Sequence, residues 1–239
     1  MLKEIERTIF RSAIEQGIEL SEKDVEKLAR YLLEILRINK KINLTAVRDP
    51  AEAAIKHIVD SLVVEKVLDK EDSIILDLGT GGGFPGVPLA AVNGERNVSL
   101  LDARAKKLKA IEECSKIAGI HNLFFLPHRA EEAGREPCFR GYFDVCTARA
   151  VAQLRELLEM AAPFIKVGGK LIAMKETASI KQELETALRA MEIMQVKLSK
   201  VYEYSLCNNQ RRSLLVFIKE AKTLSQYPRR APAISKRPL

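Results

Sequence analysis

Five short, largely apolar runs lie between residues 74 and 174, and they constrain the fold more than any other feature. They are Ile74-Ile75-Leu76, Val98-Ser99-Leu100-Leu101, Leu123-Phe124-Phe125-Leu126, Phe143-Asp144-Val145-Cys146 and Lys170-Leu171-Ile172-Ala173-Met174. Runs this short and this continuous fit strands covered on both faces, as in a parallel sheet. Helical periodicity falls between them, notably over residues 104–118 and 152–165. Strands alternating with helices imply a doubly wound α/β sheet. Residues 195–206 and 213–219 read as two further strands with no helix between them, so an antiparallel pair is expected at the end.

Residues 1–72 read as a helical extension. Ile5, Ile9, Phe10 and Ile14 recur at helical spacing. Ser21-Glu22-Lys23-Asp24 has the form of a capping box, and Val25, Leu28, Ala29, Leu32, Leu33, Ile35 and Leu36 follow as a broad apolar face. Asp49-Pro50 marks another helix start, with an acid to cap it and a Pro whose missing N–H costs nothing there. Residues 39–45 are read as a polar, basic loop between these helices. Residues 73–220 are read as the α/β core. Residues 221–239, with Pro228, Pro232 and Pro238, are read as an extended tail.

The chain has 239 residues, 47% hydrophobic and 30% charged, which excludes a wholly disordered or collagen-like polymer. No apolar run approaches the roughly 18 residues of a membrane span. The early mixed charges, Lys3-Glu4-Ile5-Glu6, do not resemble a signal peptide, so a cytoplasmic protein is expected. Cys114, Cys138, Cys146 and Cys207 form no C-x-x-C pair. They are read as free thiols, with no metal site. The net charge of +7 is unevenly placed. Residues 1–210 are electrically balanced, whereas residues 211–239 carry eight basic residues and one acid. That end is either a solvated tail or an arm for an anionic polymer such as nucleic acid.

The first strand runs into Asp77-Leu78-Gly79-Thr80-Gly81-Gly82-Gly83-Phe84-Pro85-Gly86. A glycine loop between strand and helix lies where open α/β sheets bind ligands. Gly79 and Gly81 fit the dinucleotide fingerprint, but Phe84 replaces its third glycine, which weakens a pyrophosphate reading. Phe84 is expected to fill space beside a flatter, less anionic ligand. Asp102 ends the second strand, where a carboxylate accepts both hydrogens of a ribose diol. NAD and S-adenosylmethionine share that diol; only the latter needs backbone room without a phosphate cradle. Asp77 either faces a cationic ligand end or caps the loop's own N–H groups. After the third strand, Ala130 and Glu131 are placed to hold an adenine, against the plainer reading of Glu131 and Glu132 as a helix's acidic first turn.

The fourth strand ends Thr147-Ala148-Arg149-Ala150, the place that usually faces the reacting atoms. It lacks the Asp/Asn-Pro-Pro-aromatic motif of exocyclic-amine methylation. Cys138 lies before this strand and Cys146 within it, so a cysteine nucleophile after the strand is also missing. Arg149 is a permanent cation and a donor, not a base. That suits a nucleophile needing no deprotonation, such as guanine N7. The plainer reading of Arg149 is a salt bridge.

With these residues assembled, the sequence resembles the bacterial 16S ribosomal RNA guanine-N7 methyltransferases of the RsmG (glucose-inhibited division protein B, GidB) family along nearly its whole length. The resemblance rests on Asn43-Leu44-Thr45, His57 with Asp60-Ser61-Leu62, the Gly83-Phe84-Pro85-Gly86 loop, Lys106-Lys107, Arg129-Ala130-Glu131, Arg149-Ala150, Lys175 and Tyr227-Pro228-Arg229-Arg230. It implies a class I S-adenosylmethionine-dependent methyltransferase, a Rossmann-like sheet whose last strand is antiparallel. It implies cofactor contacts at Gly79, Phe84, Ala130, Glu131 and Arg149, to which Asp102 is added from its position. The expected partner is 16S ribosomal RNA or the small ribosomal subunit, met by a monomer. Asn43, Lys175, Arg211, Arg229 and Arg230 are the candidate RNA contacts, each equally readable as solvated surface. An NAD-dependent oxidoreductase and a non-catalytic RNA-binding module are the alternatives.

Overall fold

The computed structural model describes residues 1–206 and 210–239. Seven strands form one sheet: β1 (Ile74–Leu78), β2 (Asn97–Leu101), β3 (Leu123–Leu126), β4 (Phe143–Arg149), β5 (Ile165–Glu176), β6 (Val196–Leu206) and β7 (Gln210–Lys219). Their order is β3-β2-β1-β4-β5-β7-β6. All neighbouring pairs among β1 to β5 are parallel, and β7 runs antiparallel to both β5 and β6. The sheet reverses its winding between β1 and β4, so the glycine loop after β1 opens at the switch point where such sheets bind ligands. β1 is buried along Ile75–Leu78 and β4 along Val145–Ala148, as expected of strands covered on both faces.

The helical extension begins with α1 (Leu2–Glu15) and α2 (Glu22–Ile42). The Ser21 hydroxyl accepts from the Asp24 backbone N–H at 3.2 Å and donates to the Asp24 carboxylate at 2.6 Å, the anticipated cap. Helix α2 continues through Ile42 and ends at Asn43, whose φ of 51° places it in the left-handed region. The basic stretch read as a loop over 39–45 is therefore helical to Ile42; Asn tolerates the left-handed turn that follows. Asp49 caps α3 (Pro50–Ala53), accepting from Glu52 N at 2.7 Å. The helix then widens into a π turn (Ala54–Val59), returns to α4 (Asp60–Leu62) and tightens into a 3₁₀ turn (Val63–Val67). In α1 only part of the expected apolar face is covered. Ile5 and Ile9 are buried, while Phe10 and Ile14 are exposed.

The remaining helices are α5 (Gly86–Val92), α6 (Ala105–Ile117), α7 (Ala130–Ala133), α8 (Leu154–Ala161), α9 (Ile180–Met194) and α10 (Ala231–Lys236). One core joins the extension to one face of the sheet: Ile5, Ile9, Leu28, Leu32 and Ile35 lie in the same cluster as Val87, Leu100 and Ile111. The second core, with Leu76, Leu101, Leu157, Leu158, Phe164 and Phe217, fills the other face. Each fully buried aliphatic side chain contributes roughly 1.5–3 kcal/mol. No described helix is long and apolar enough to cross a membrane.

The C-terminal segment is docked, contrary to its reading as an extended tail. Pro232 sits in the first turn of α10, where Pro suits helix entry. Arg229 holds Glu159 of α8 with Nε at 2.8 Å and a terminal nitrogen at 2.6 Å, and its own N–H reaches the same carboxylate at 2.8 Å. Glu159 is fully buried. Arg140 adds bonds to the carbonyls of Gly134, Thr223 and Tyr227. Cys114 and Cys146 are buried free thiols and Cys138 an exposed one; Cys207 lies outside the described residues.

Candidate active site

The glycine loop is built on Asp77. This carboxylate is fully buried and accepts from Thr80 Oγ1 at 2.6 Å and Gly86 N at 2.9 Å. The N-terminus of α5 needs such an acceptor for its unpaired N–H groups. Burial pushes the Asp77 carboxyl up to about 6, opposed by those two bonds. Asp77 thus caps the loop, which decides between the two roles open from sequence. The N–H groups of Gly79 and Thr80 both donate to Leu101 O, at 2.8 and 3.1 Å, fastening the loop across β2.

The loop leaves space for a ligand at its tip. Gly81 has φ +59°, and a Cβ there would meet nothing nearer than Gly79 O at 3.9 Å. Its N–H donates to Asp102 Oδ2 at 3.2 Å, while Asp102 Oδ1 accepts from Arg104 N at 2.8 Å. Each oxygen keeps lone-pair capacity for a further donor, so the carboxylate is oriented yet able to take a diol. Ala130 and Glu131 begin α7, directly after β3, at the same edge of the sheet. Glu131 and Glu132, with Arg129, Arg135, Arg230 and Pro232, line a cavity of about 450 Å³. Open backbone at Gly81 and the oriented Asp102 carboxylate fit a ribose diol, and three arginines balance the two acids in the cavity beyond.

Phe84 differs from expectation. Its side chain is 4% exposed and turns into the extension. It stacks on His57 at 4.8 Å and 16° and meets Tyr31 edge-on at 5.9 Å. The ring therefore couples the loop to the helices rather than offering a broad face to a ligand. Tyr31 is fully buried and donates to Gly82 O at 2.8 Å.

Arg149 closes the site from the end of β4. It donates to Lys56 O at 2.8 Å and Asp60 Oδ2 at 3.2 Å, and lies 5.4 Å from the Phe84 ring centre. Its other terminal nitrogen is 3.3 Å from His57 Nδ1. A guanidinium only donates, so His57 Nδ1 accepts and the imidazole proton sits on Nε2. That Nε2–H faces Thr45 Oγ1 at 2.6 Å, and Thr45 Oγ1 also accepts from Val47 N at 3.0 Å. Asp60 is 4% exposed and accepts in addition from Tyr204 of β6 at 2.7 Å. Burial and the neighbouring carboxylate push the Tyr204 hydroxyl far above its usual value.

Burial, then the Arg149 charge, lowers the His57 imidazole from 6.5 to about 3. The unfolded chain binds this proton near 6.5. Stability from this group is therefore full above that value and declines as pH falls toward 3, by about 1.4 kcal/mol per pH unit. Asp77, raised from 3.8 to about 6, acts in the opposite sense between those values. The His57 ring signals are expected to stay those of a neutral imidazole at pH 5 by NMR. A midpoint near 6.5 would show that the ring is solvated and not enclosed between Phe84 and Arg149.

The expected RNA contacts fare unequally. Asn43 is exposed at the α2 terminus. Lys175 is bound internally, to Ala152 O at 2.8 Å and Glu183 at 2.5 Å, because its half-buried ammonium needs acceptors. Arg229 is likewise held by Glu159. Arg211 makes an exposed pair with Glu203 at 2.9 Å, and Arg230 is exposed beside Glu131. His57 and Asp60 stood out in sequence as markers of the family resemblance but not as partners of Arg149. Their three-residue spacing on a helix, one face toward an Arg, was the available signal; Tyr204 gave none. No group of three or more His, Cys, Asp or Glu suited to a metal ion occurs among the described residues.

Solved structures share the fold at low identity. A putative O-methyltransferase from Klebsiella pneumoniae superposes with TM-score 0.56 at 15% identity, covering 80% of this chain and 90% of that one. A ribosomal protein L11 methylase from Lactobacillus delbrueckii subsp. bulgaricus gives 0.52 at 15%, covering 70% and 79%. Sequence relatives are much nearer. A ribosomal RNA small subunit methyltransferase G from Streptococcus pyogenes serotype M1 is 37% identical over 96% of this chain and 98% of its own length. The Streptococcus gordonii protein of the same name is 35% identical, covering 94% and 95%. The family model described as rRNA small subunit methyltransferase G matches residues 24–215. That span takes in the helices that grip Arg149 as well as the glycine loop and β4, and the chain belongs to this family, GidB.

Proposed function

We propose that this protein transfers a methyl group from S-adenosylmethionine to N7 of a guanine in 16S ribosomal RNA of the small ribosomal subunit. Family membership supports the enzyme class and the RNA; the single structural observation that carries the chemistry is Arg149, a held cation at the end of β4. The sulfonium supplies an activated methyl whose bond to sulfur breaks as the N7–carbon bond forms. N7 brings its own lone pair, so no base is needed; the Asp60 carboxylate and the His57 imidazole at this strand end are engaged by Arg149. Asp102 holds the ribose diol, and Glu131 with the Ala130–Glu131 backbone holds the adenine. Gly79 and Gly81 let the chain pass close. Arg149, fixed by Asp60 and Lys56 O, sets the position of the reacting groups, so catalysis is mainly alignment.

The NAD reading loses its ground at Phe84, because a buried ring occupies the position of the third glycine. The test is transfer of labelled methyl to 16S RNA or small subunits from cells lacking the enzyme, followed by mapping of the modified base. Label on a single guanine N7 is expected. Label on another atom, or RNA binding without transfer, overturns the reading.

A further inference from the structure

The charge surplus of the C-terminal segment is only partly available. Arg211, Arg212 and Arg229 form ion pairs with Glu203, Glu176 and Glu159. Lys219 is buried on the carbonyls of Met194 and Ala221, and burial lowers its ammonium to about 8. At the other end, among the described residues, Lys40, Lys41 and Arg48 have no ion-pair or hydrogen-bond partner for their charged groups, although they belong to the electrically balanced part of the sequence.

Lys40 and Arg48 border a cavity of about 750 Å³ together with Leu36, Asn39, Leu44 and Thr45. None of its lining residues is acidic. Its wall is rigid. Asn39, 9% exposed, accepts from Leu44 N at 2.6 Å and Thr45 N at 2.9 Å, and donates to Thr45 O at 2.8 Å. The wall also abuts the cofactor loop, since Leu44 O is 3.2 Å from where a Gly82 Cβ would stand. Thr45 continues to His57 and His57 to Arg149.

We propose that this cavity seats an unpaired stretch of the substrate RNA next to the target guanine, with phosphates on Lys40 and Arg48 and a base against Leu36 and Leu44. The proposal rests on the RNA methyltransferase reading and adds where the RNA sits. A-form RNA hides N7 in a deep, narrow major groove, so the guanine must be unpaired or splayed to reach the site. An unpaired strand presents phosphates and bare base faces together. A rigid pocket with two free cations, two leucines and no acid complements both.

The test is the full-length double variant Lys40→Gln/Arg48→Gln, compared with Lys222→Gln/Lys236→Gln. For the first, KM for 16S RNA is expected to rise about tenfold or more, and the slope of log affinity against log salt to fall by about 1.4, for two phosphate contacts to a single strand. The KM for S-adenosylmethionine and kcat at saturating RNA stay as in the wild type. Independently, bound 16S RNA is expected to protect Lys40 of the wild type from acylation. An unchanged salt slope, a larger loss from the C-terminal pair or an unprotected Lys40 overturns the proposal. If the wild type itself transfers no methyl, the functional reading fails, while slope and protection still judge the pocket.

Discussion

Arg149→Ala is expected to lower kcat/KM for methyl transfer at least about 100-fold, because alignment is the main catalytic contribution assigned to this site. It is also expected to destabilise the fold by roughly 3–5 kcal/mol, since it leaves a buried carboxylate without its cation. Asp60 is 4% exposed, and its remaining side-chain partner is the Tyr204 hydroxyl. The two losses are separable. Adding Asp60→Asn to Arg149→Ala removes the stranded charge, so much of the stability returns, whereas activity stays low. Denaturant titrations and initial rates on the two variants measure this. If the double variant recovers activity together with stability, Arg149 is structural only. Arg149→Lys keeps the charge but loses the fork, one nitrogen of which reaches Lys56 O and Asp60 while the other reaches His57 Nδ1, so it is expected to fall between wild type and alanine.

Gly83→Ala is expected to be among the most damaging single methyls in the glycine loop. The new Cβ would lie 2.1 Å from the Tyr31 hydroxyl oxygen and 2.8 Å from Val87, at a backbone φ of +85°. Left-handed strain and overpacking together cost roughly 3–5 kcal/mol. Tyr31 is fully buried and bonded to Gly82 O, so it has no free space to enter. Gly119→Ala separates the two contributions. It has φ +73° but nothing within 4 Å, and strain alone costs about 1–2 kcal/mol. Thermal or denaturant unfolding of both variants decides it. Equal losses would mean that Tyr31 moves aside freely and the loop is not braced by α2. Affinity for S-adenosylmethionine is expected to fall with Gly83→Ala and not with Gly119→Ala.

The fold was legible because its signals are local. Apolar runs such as Leu123–Leu126 mark strands wherever they pack, and the extents of β1 to β3 differ from their runs by two residues or fewer. The caps at Ser21 and Asp49 are equally local, since donor and acceptor lie three residues apart. The misreadings have the same origin. Basic residues 39–42 look like a loop by polarity, yet α2 needs one more turn before Asn43 reverses the chain. The C-terminal segment looks free by composition, because nothing near it in sequence reveals that Glu159 lies buried and waiting for Arg229.

The sequence by itself determined the sheet, through runs each contained within one strand, and the family, through motifs that are each local and recur in a fixed order. Only the tertiary structure decided which charges are free. Arg149, Asp60 and Tyr204 are separated by 89 and 144 residues and meet through the packing of the extension on the sheet. Lys175 and Arg229 gained internal acceptors there, while Lys40 and Arg48 did not. Formal charge is a property of composition; availability of that charge depends on which acceptors the folded chain brings within hydrogen-bonding distance.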